Sequence, residues 1–558
     1  MNSSLRDSIA EWEPETRRAV ALSISFFVFT LAFGLVYTQR DDAPIHILRS
    51  QWILNHGWFP YDEYAFDQGY AYVYPPAFHI LGAVSKLVTG TYLAVPAFSG
   101  AVSVFLTYRL VSYWHGRSLG LSTAKVLALC PIFVLWSARM YTGTLVVAAF
   151  LLTMVLYFTY LDRADRRYLY AAFIVGGSLS AVKTYGPIAA GIVLFHLLWT
   201  HRDTLVETVQ SVALPLSAGV LASLPWPIRN FLLTGSPVPK VTGYRDIAEV
   251  GGPTVTGIHL FVPTWLDIRL FLARALGVVP PELTTEHLGA LHPLLPILWL
   301  ALPLSIIAVM VYGARSTRVD PVVWIWITTF CLLYVVQRFL SDGATGFKYR
   351  HFITLTPVFC LLFTLGYRSL RLNVRPKRVL GVLFAVLLLT QMGSAAALQT
   401  VHTQTAWEPA TDWVEQNVEP DEVIYYQTAP RNFAYRVDPS YKFITTSGKD
   451  GYIHPSENFT EVIGDRADWV IINDNANSAE RARIRHAVNA GSLRRVEVLN
   501  ATREISLGET SLASIGRTWY IYEVVGRSTA TDRFNSTQAR STLLNPNTDK
   551  DFRLGYLS

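Results

Sequence analysis

The sequence predicts a polytopic α-helical membrane protein of about eleven spans, followed by a small C-terminal α/β domain on the outer side. Three observations carry this expectation. Apolar runs long enough to cross a bilayer recur down to residue 398 and then stop. The 558 residues are 51% hydrophobic and only 16% charged, against the roughly 25% charge of a soluble domain; mean hydropathy is +0.29. Basic residues cluster in alternate connections, as they do in proteins oriented by positive charge on the cytoplasmic side.

Spans are expected at 19–38, 92–112, 119–137, 143–160, 168–185, 187–200, 209–228, 292–313, 321–339, 351–368 and 378–398. The first is preceded by Arg17 and Arg18 and has no small-residue cleavage site after it, so it reads as a retained span. Arg117, Arg163, Arg166, Arg167, Arg202, Arg315, Arg318, Arg368, Arg371, Arg375, Lys377 and Arg378 then fall on the same side as the N-terminus. That side is expected to be cytoplasmic in a multi-pass cell-membrane protein, with the C-terminal domain extracellular. Residues 75–90 begin Pro-Pro and carry His79 and Lys86; they read as an interfacial helix, because counting them as a span would turn every later Arg cluster outward. Residues 256–278 are similarly mixed and read the same way.

The expected domains are therefore a membrane domain, 1–398, with outer loops 39–91 and 229–291, an α/β domain, 399–527, and a polar tail, 528–558. In the α/β part EVIYYQ, DWVIIND and RTWYIYEVV have strand character, and ATDWVEQNV and SAERARIRHAVNAG have helix character. Sequons at Asn458, Asn500 and Asn535 suit an outside location.

Composition also excludes functions. The net charge of +6 sits in short loops that orient spans, so nucleic acid is not an expected partner, whereas membrane lipids are. Cys130, Cys331 and Cys360 lie in apolar stretches and form no metal or disulfide pattern. There is no Gly-rich phosphate loop for ATP-driven transport and no paired-ligand motif for zinc. The spans hold few of the mid-membrane charges that ion-coupled transport uses.

Chemistry is concentrated at the outer boundary. Asp41 and Asp42 follow the first span directly, where a carboxylate can meet both a lipid-linked group and an acceptor from outside. They either act as a base or cap the helix that follows. His46, four residues after Asp42, shares its face if the segment is helical. Arg139, Lys183, Arg229, Lys348 and Arg350 all fall at outer span ends, against the orienting trend. Singly such cations snorkel to headgroups; gathered around one cavity they suit a phosphate. The aromatics of the first loop, Trp52 to Tyr74, serve as an interfacial belt or stack on sugars.

These pieces, in order, resemble the GT-C class of membrane glycosyltransferases that use polyprenyl-phosphate sugars. They are Arg40-Asp41-Asp42 with His46, then Tyr74-Pro75-Pro76 before an interfacial helix, then Trp136-Ser137-Ala138-Arg139 and Lys183. Pro225-Trp226-Pro227-Ile228-Arg229-Asn230 with Thr234-Gly235-Ser236-Pro237-Val238 follows, and Lys348-Tyr349-Arg350 with Pro357 completes the order. The resemblance covers about residues 20–430 and is strongest to dolichyl-phosphate-mannose mannosyltransferases of archaea. It implies that Asp42 or Asp41 is the catalytic base, and that Arg229, Lys348 and Arg350 hold the lipid phosphate, helped by His46, Arg139 and Lys183. It implies an inverting transfer of one sugar, mannose, from dolichyl or polyprenyl phosphate to a lipid-linked or protein-bound glycan in N-glycosylation. Two departures matter. Tyr141-Thr142-Gly143-Thr144 lacks the second acidic residue many relatives carry there, which puts a divalent metal requirement in doubt, and no Trp-Trp-Asp signature of oligosaccharyltransferases occurs. A protein or lipid A type transferase of the same class, or a polyprenyl-lipid flippase, is the alternative.

Overall fold

The structure, a computed structural model, describes residues 12–36, 39, 43–56, 75–183, 185–234, 295–340, 349–370, 378, 381–382, 408–419, 422–426, 442–444, 463, 467–474, 478–507 and 510–525. The chain divides into two compact units, one helical and one built on a sheet.

The helical unit opens with α1 (Pro14–Val36). Its buried residues, Ala19, Ser23, Phe26, Thr30 and Gly34, recur every three or four positions and so form one stripe. Ile24, Val28, Phe29 and Leu35 face outward. Such a helix is stable where its surroundings are themselves apolar. Its hydroxyls are satisfied internally: Ser23 donates to the Ala19 carbonyl at 3.0 Å and Thr30 to that of Phe26 at 2.7 Å, as a hydrocarbon environment requires. The following helices are α2 (Ala43–His56), α3 (Ala77–Thr89) and α4 (Ala94–His115). The segment expected to be an interfacial helix is thus a helix, closed by Gly90 at φ 77°, whose N–H donates to the Lys86 carbonyl.

Prolines break two of the expected spans, and a third is cut short without one. Residues 119–137 are not one helix but α5 (Arg117–Leu129) and α6 (Pro131–Ser137), bent by 67° at Cys130. Pro131 has no amide to donate, and it forces Cys130 into an extended conformation at ψ 115°. After α7 (Gly143–Arg163), the span expected at 168–185 is only α8 (Arg166–Ser178), tightening into a 3-10 turn at Leu179–Ala181. The span expected at 209–228 is α10 (Leu205–Ser223) followed by α11 (Pro225–Thr234), again parted ahead of a proline; α9 (Ile188–Thr200) precedes them. Then come α12 (Leu295–Ser316), α13 (Pro321–Leu340), a 3-10 turn at Tyr349–Leu355 in place of the expected start of a span, and α14 (Thr356–Ser369). Among the described residues five helices are long and apolar enough to cross a membrane, or six if the bent pair is one span. The segments 256–278 and, but for three residues, 378–398 lie outside the described residues.

Small residues set the closest helix contacts. Gly177 of α8 lies backbone to backbone against Gly219 of α10, with no room for a Cβ on Gly177. Gly177→Leu is expected to cost about 1–3 kcal/mol through forced separation of the two helices, read as a lower unfolding temperature in detergent.

Among the described residues the C-terminal part of the chain holds α15 (Glu408–Asn417), α16 (Ser478–Asn489) and five strands: β1 (Val423–Tyr426), β2 (Lys442–Ile444), β3 (Trp469–Asn473), β4 (Leu493–Leu507) and β5 (Thr510–Val524). Their order is β2-β1-β3-β5-β4, with β2, β1 and β3 parallel and β5 antiparallel to β3. The parallel strands β1 and β3 are buried almost throughout, which explains their unbroken apolar character. Tyr425, Val470 and Ile472 form a core with Ile484 and Ala487 of α16.

Candidate functional site

The exit of α1 is fixed by a clamp. Gly34 lets α1 approach Ala138 so closely that a Cβ there would stand 2.7 Å from the Ala138 carbonyl oxygen. Five residues later the buried Gln39 donates from Nε2 to that same carbonyl at 3.1 Å, and its Oε1 accepts from the Met140 N–H at 2.9 Å. One side-chain amide thus pairs with both sides of the Arg139 peptide, as a neighbouring strand would. Arg139 is itself only 2% exposed, and its carbonyl accepts from the Tyr141 N–H at 2.7 Å. This turn exists because α6 ends at Ser137, only seven residues after the proline break.

Beside the turn sits a pair of imidazoles. His46 of α2 and His79 of α3 meet Nδ1 to Nε2 at 2.8 Å, both essentially buried. Phe78 and Tyr141 stand edge-on to His46, with centroids at 5.3 and 6.0 Å. Gly82 of α3 packs against Ser50 of α2 and Met140 of the turn, so α2, α3 and the Arg139 turn form one cluster. Arg49, one helical turn after His46, is 2% exposed. Burial holds the His79 imidazole well below its usual range. The charges of His46, Arg49 and Lys183 push the same way, and the Pro75 carbonyl works against them. One ring therefore donates a single proton to the other, and a second proton would set two N–H groups head to head.

This makes a pH prediction. The folded-state pKa of His79 lies below its unfolded value of about 6.5, so its contribution is intact above that pH. As pH falls below it, the unfolded chain takes up a proton that the folded chain refuses, and stability is lost. His79→Gln is expected to flatten the fall in unfolding temperature between neutral and mildly acidic pH, measured in parallel with the parent protein.

Lys183 follows the 3-10 turn at Leu179–Ala181, donating its N–H to the Leu179 carbonyl at 2.8 Å. In that turn the Ser180 hydroxyl donates to the Ser223 carbonyl at 2.8 Å, which ties Lys183's segment to the start of α11. On α11 the Arg229 guanidinium lies over the Trp226 ring at 4.7 Å and reaches the Asn230 side-chain oxygen at 3.5 Å. The turn carrying Arg350 meets the N-terminus of α7: a Cβ on Gly143 would lie 3.3 Å from Trp136 and 3.4 Å from Ile353.

The structure thus brings His46, Arg139 and Lys183 to one neighbourhood through His79 and Arg49, neither of which was singled out as a site residue from sequence. The signal for Arg49 was its three-residue spacing from His46, and for His79 its place in an otherwise apolar helix. Gln39 gave no signal at all. Arg229 stands on a neighbouring element, and Arg350 is placed by its backbone. Asp41, Asp42 and Lys348 lie outside the described residues. Among the described residues no three His, Cys, Asp or Glu side chains stand close enough to hold a metal ion.

A buried, cation-rich boundary of this kind can neutralise a phosphate anion beside an apolar wall. No protein-family model matches the sequence, and no curated protein matches it. Solved structures do resemble it. ArnT from Cupriavidus metallidurans bound to undecaprenyl phosphate superposes with a TM-score of 0.55 at 12% identity, over 91% of this chain and 98% of that one. The same protein in the apo state gives 0.56 at 12%, over 90% and 97%. The Archaeoglobus fulgidus oligosaccharyltransferase in complex with Zn and sulfate gives 0.50 at 15%, over 82% and 67%. This chain shares its fold with both, and nearly the whole length of ArnT is matched. The fold of this chain is that of the GT-C class of membrane glycosyltransferases.

Proposed function

We propose that the protein transfers a single sugar, mannose, from dolichyl or polyprenyl phosphate to a glycan acceptor at the outer face, in a pathway of protein N-glycosylation. The observation that supports this reading most is the gathering of Arg139, Arg49, Lys183 and the His46–His79 pair at the exit of α1, directly beside the acidic pair in the chain. The likeness in fold to ArnT, whose structure holds undecaprenyl phosphate, adds support for a polyprenyl-phosphate carrier. In this reading Asp42 or Asp41 accepts the proton of an acceptor hydroxyl. That oxygen bonds to the anomeric carbon as the carbon–phosphate oxygen bond breaks, and the electron pair leaves with the phosphate. The leaving group is already an acid anion, so it needs cations more than a proton. In-line attack inverts the anomeric centre. Lys348 and Arg350 are assigned to the phosphate with Arg229, and the acceptor is a lipid-linked or protein-bound glycan.

The test is direct binding of tritiated dolichyl phosphate to the purified protein. Arg139→Gln and Lys183→Gln are each expected to weaken it about tenfold or more, since a charge-assisted hydrogen bond contributes about 1.5–3 kcal/mol. Unchanged affinity in both variants would remove the cations from the donor site and the reading with them.

A further inference from the structure

At the other end of the helical unit, α4, α5 and α7 enclose a cavity of about 200 Å³, lined by Arg109, Leu110, Ser112, Tyr113, Arg117, Val155, Phe158 and Thr159. These positions lie at the last turns of α4 and α7 and the first of α5, the end that also bears Arg163 and Arg166. We propose that this cavity seats the phosphate of an anionic phospholipid from the surrounding leaflet, a site separate from the sugar-donor site and independent of the transferase reading.

Four observations carry it. First, Arg109 projects from an apolar span, yet among the described residues no carboxylate pairs with it. Arg117 is held by Glu13 at 2.8 Å, which fixes its guanidinium while leaving further N–H groups to donate. Second, the Ser112 hydroxyl is buried without a hydrogen-bond partner among the described residues, packed against Gly120. A hydroxyl so placed favours an acceptor entering from the cavity. Third, the walls are of two kinds. Leu110, Val155 and Phe158 are apolar, while the two arginines, Tyr113 and Thr159 are polar, the pairing a glycerol backbone with its phosphate presents. Fourth, the volume exceeds the ~30 Å³ of a single water several-fold. Asp162 and Asp320 bear electrostatically on Tyr113, so selection for an anion rests on Arg109 and Arg117. A free phosphate would use the same two cations but gains nothing from the apolar walls.

The experiment uses the full-length protein, delipidated in a neutral detergent. Its unfolding temperature is followed while short-chain phosphatidylglycerol, phosphatidylcholine of equal chain length, or inorganic phosphate is added. The proposal expects a saturable rise with phosphatidylglycerol, at a midpoint about tenfold below that of phosphatidylcholine, and little effect of inorganic phosphate. Arg109→Gln, at an exposed position, and Thr159→Trp, which fills the cavity, should each raise the phosphatidylglycerol midpoint by a similar factor without lowering the starting temperature; Arg109→Lys should retain most of the effect. Equal response to the two lipids, or variants that titrate like the parent, would overturn the site and leave Arg109 as a cation reaching to headgroups in general. An equal rise with inorganic phosphate would overturn the lipid as its occupant.

Discussion

Asp42→Asn is expected to reduce sugar transfer by roughly 10²–10⁴-fold, the usual contribution of a positioned general base, and to leave folding and lipid binding as they were. The choice of Asn is what makes the result informative. Asp42 immediately precedes α2, which begins at Ala43, so its carboxylate has a structural role open to it as a helix cap. Asn caps a helix about as well as Asp does, so a capping residue would tolerate the change. A base would not, because an amide cannot take a proton at neutral pH. Asp42→Ala removes both functions and should lower the unfolding temperature as well. Asp41→Asn gives the comparison. The larger loss identifies the base, and the His46 spacing favours Asp42.

Gln39→Leu is expected to be the most damaging single change near the site that touches no charge. The clamp satisfies one buried carbonyl, that of Ala138, and one buried amide, that of Met140. Leucine is close in size and fills the space, but leaves both groups without their partner. Each such orphan costs about 1–3 kcal/mol, so a loss of about 2–6 kcal/mol follows. The exit of α1 would also lose its register on the Arg139 turn, and activity should fall with stability. Gln39→Glu separates the two bonds: a carboxylate still accepts from the Met140 N–H but faces the Ala138 carbonyl with no donor. It should show an intermediate loss of thermal stability and a clear loss of turnover. A Gln39→Leu variant as stable and active as the parent would mean the clamp contributes nothing.

Hydropathy made the helical membrane fold legible, because a bilayer imposes a minimum apolar length on any chain that crosses it. The helix within 75–90 was legible too, from the apolar run that follows Pro75-Pro76. Breaks at Cys130 and Leu224 were missed although both precede a proline, because apolar length was weighed above the proline rule. The 3-10 turns at Leu179–Ala181 and Tyr349–Leu355 had no local signal, since packing rather than composition tightens them. In the site, basic residues at span ends stood out as exceptions to the expected orienting trend. Gln39 did not, because an uncharged amide reveals its role only once the peptide it pairs with is in place. Arg49 was hidden among surface-looking neighbours until α2 and α3 closed over it.

The central claim is that the chain breaks a sugar–phosphate bond at the end of α1 rather than moving an intact lipid. The most direct measurement follows doubly labelled dolichyl-phosphate mannose, with one isotope in the sugar and another in the lipid, in vesicles containing the purified protein and the host's glycan acceptors. The account predicts that the labels separate: mannose passes to the acceptor with inverted anomeric configuration, free dolichyl phosphate accumulates in equal amount, and both stop in Asp42→Asn. Labels that stay together while the lipid crosses the bilayer, equally in the parent and in the variant lacking both carboxylates, would contradict it and assign the cation-lined boundary to lipid translocation.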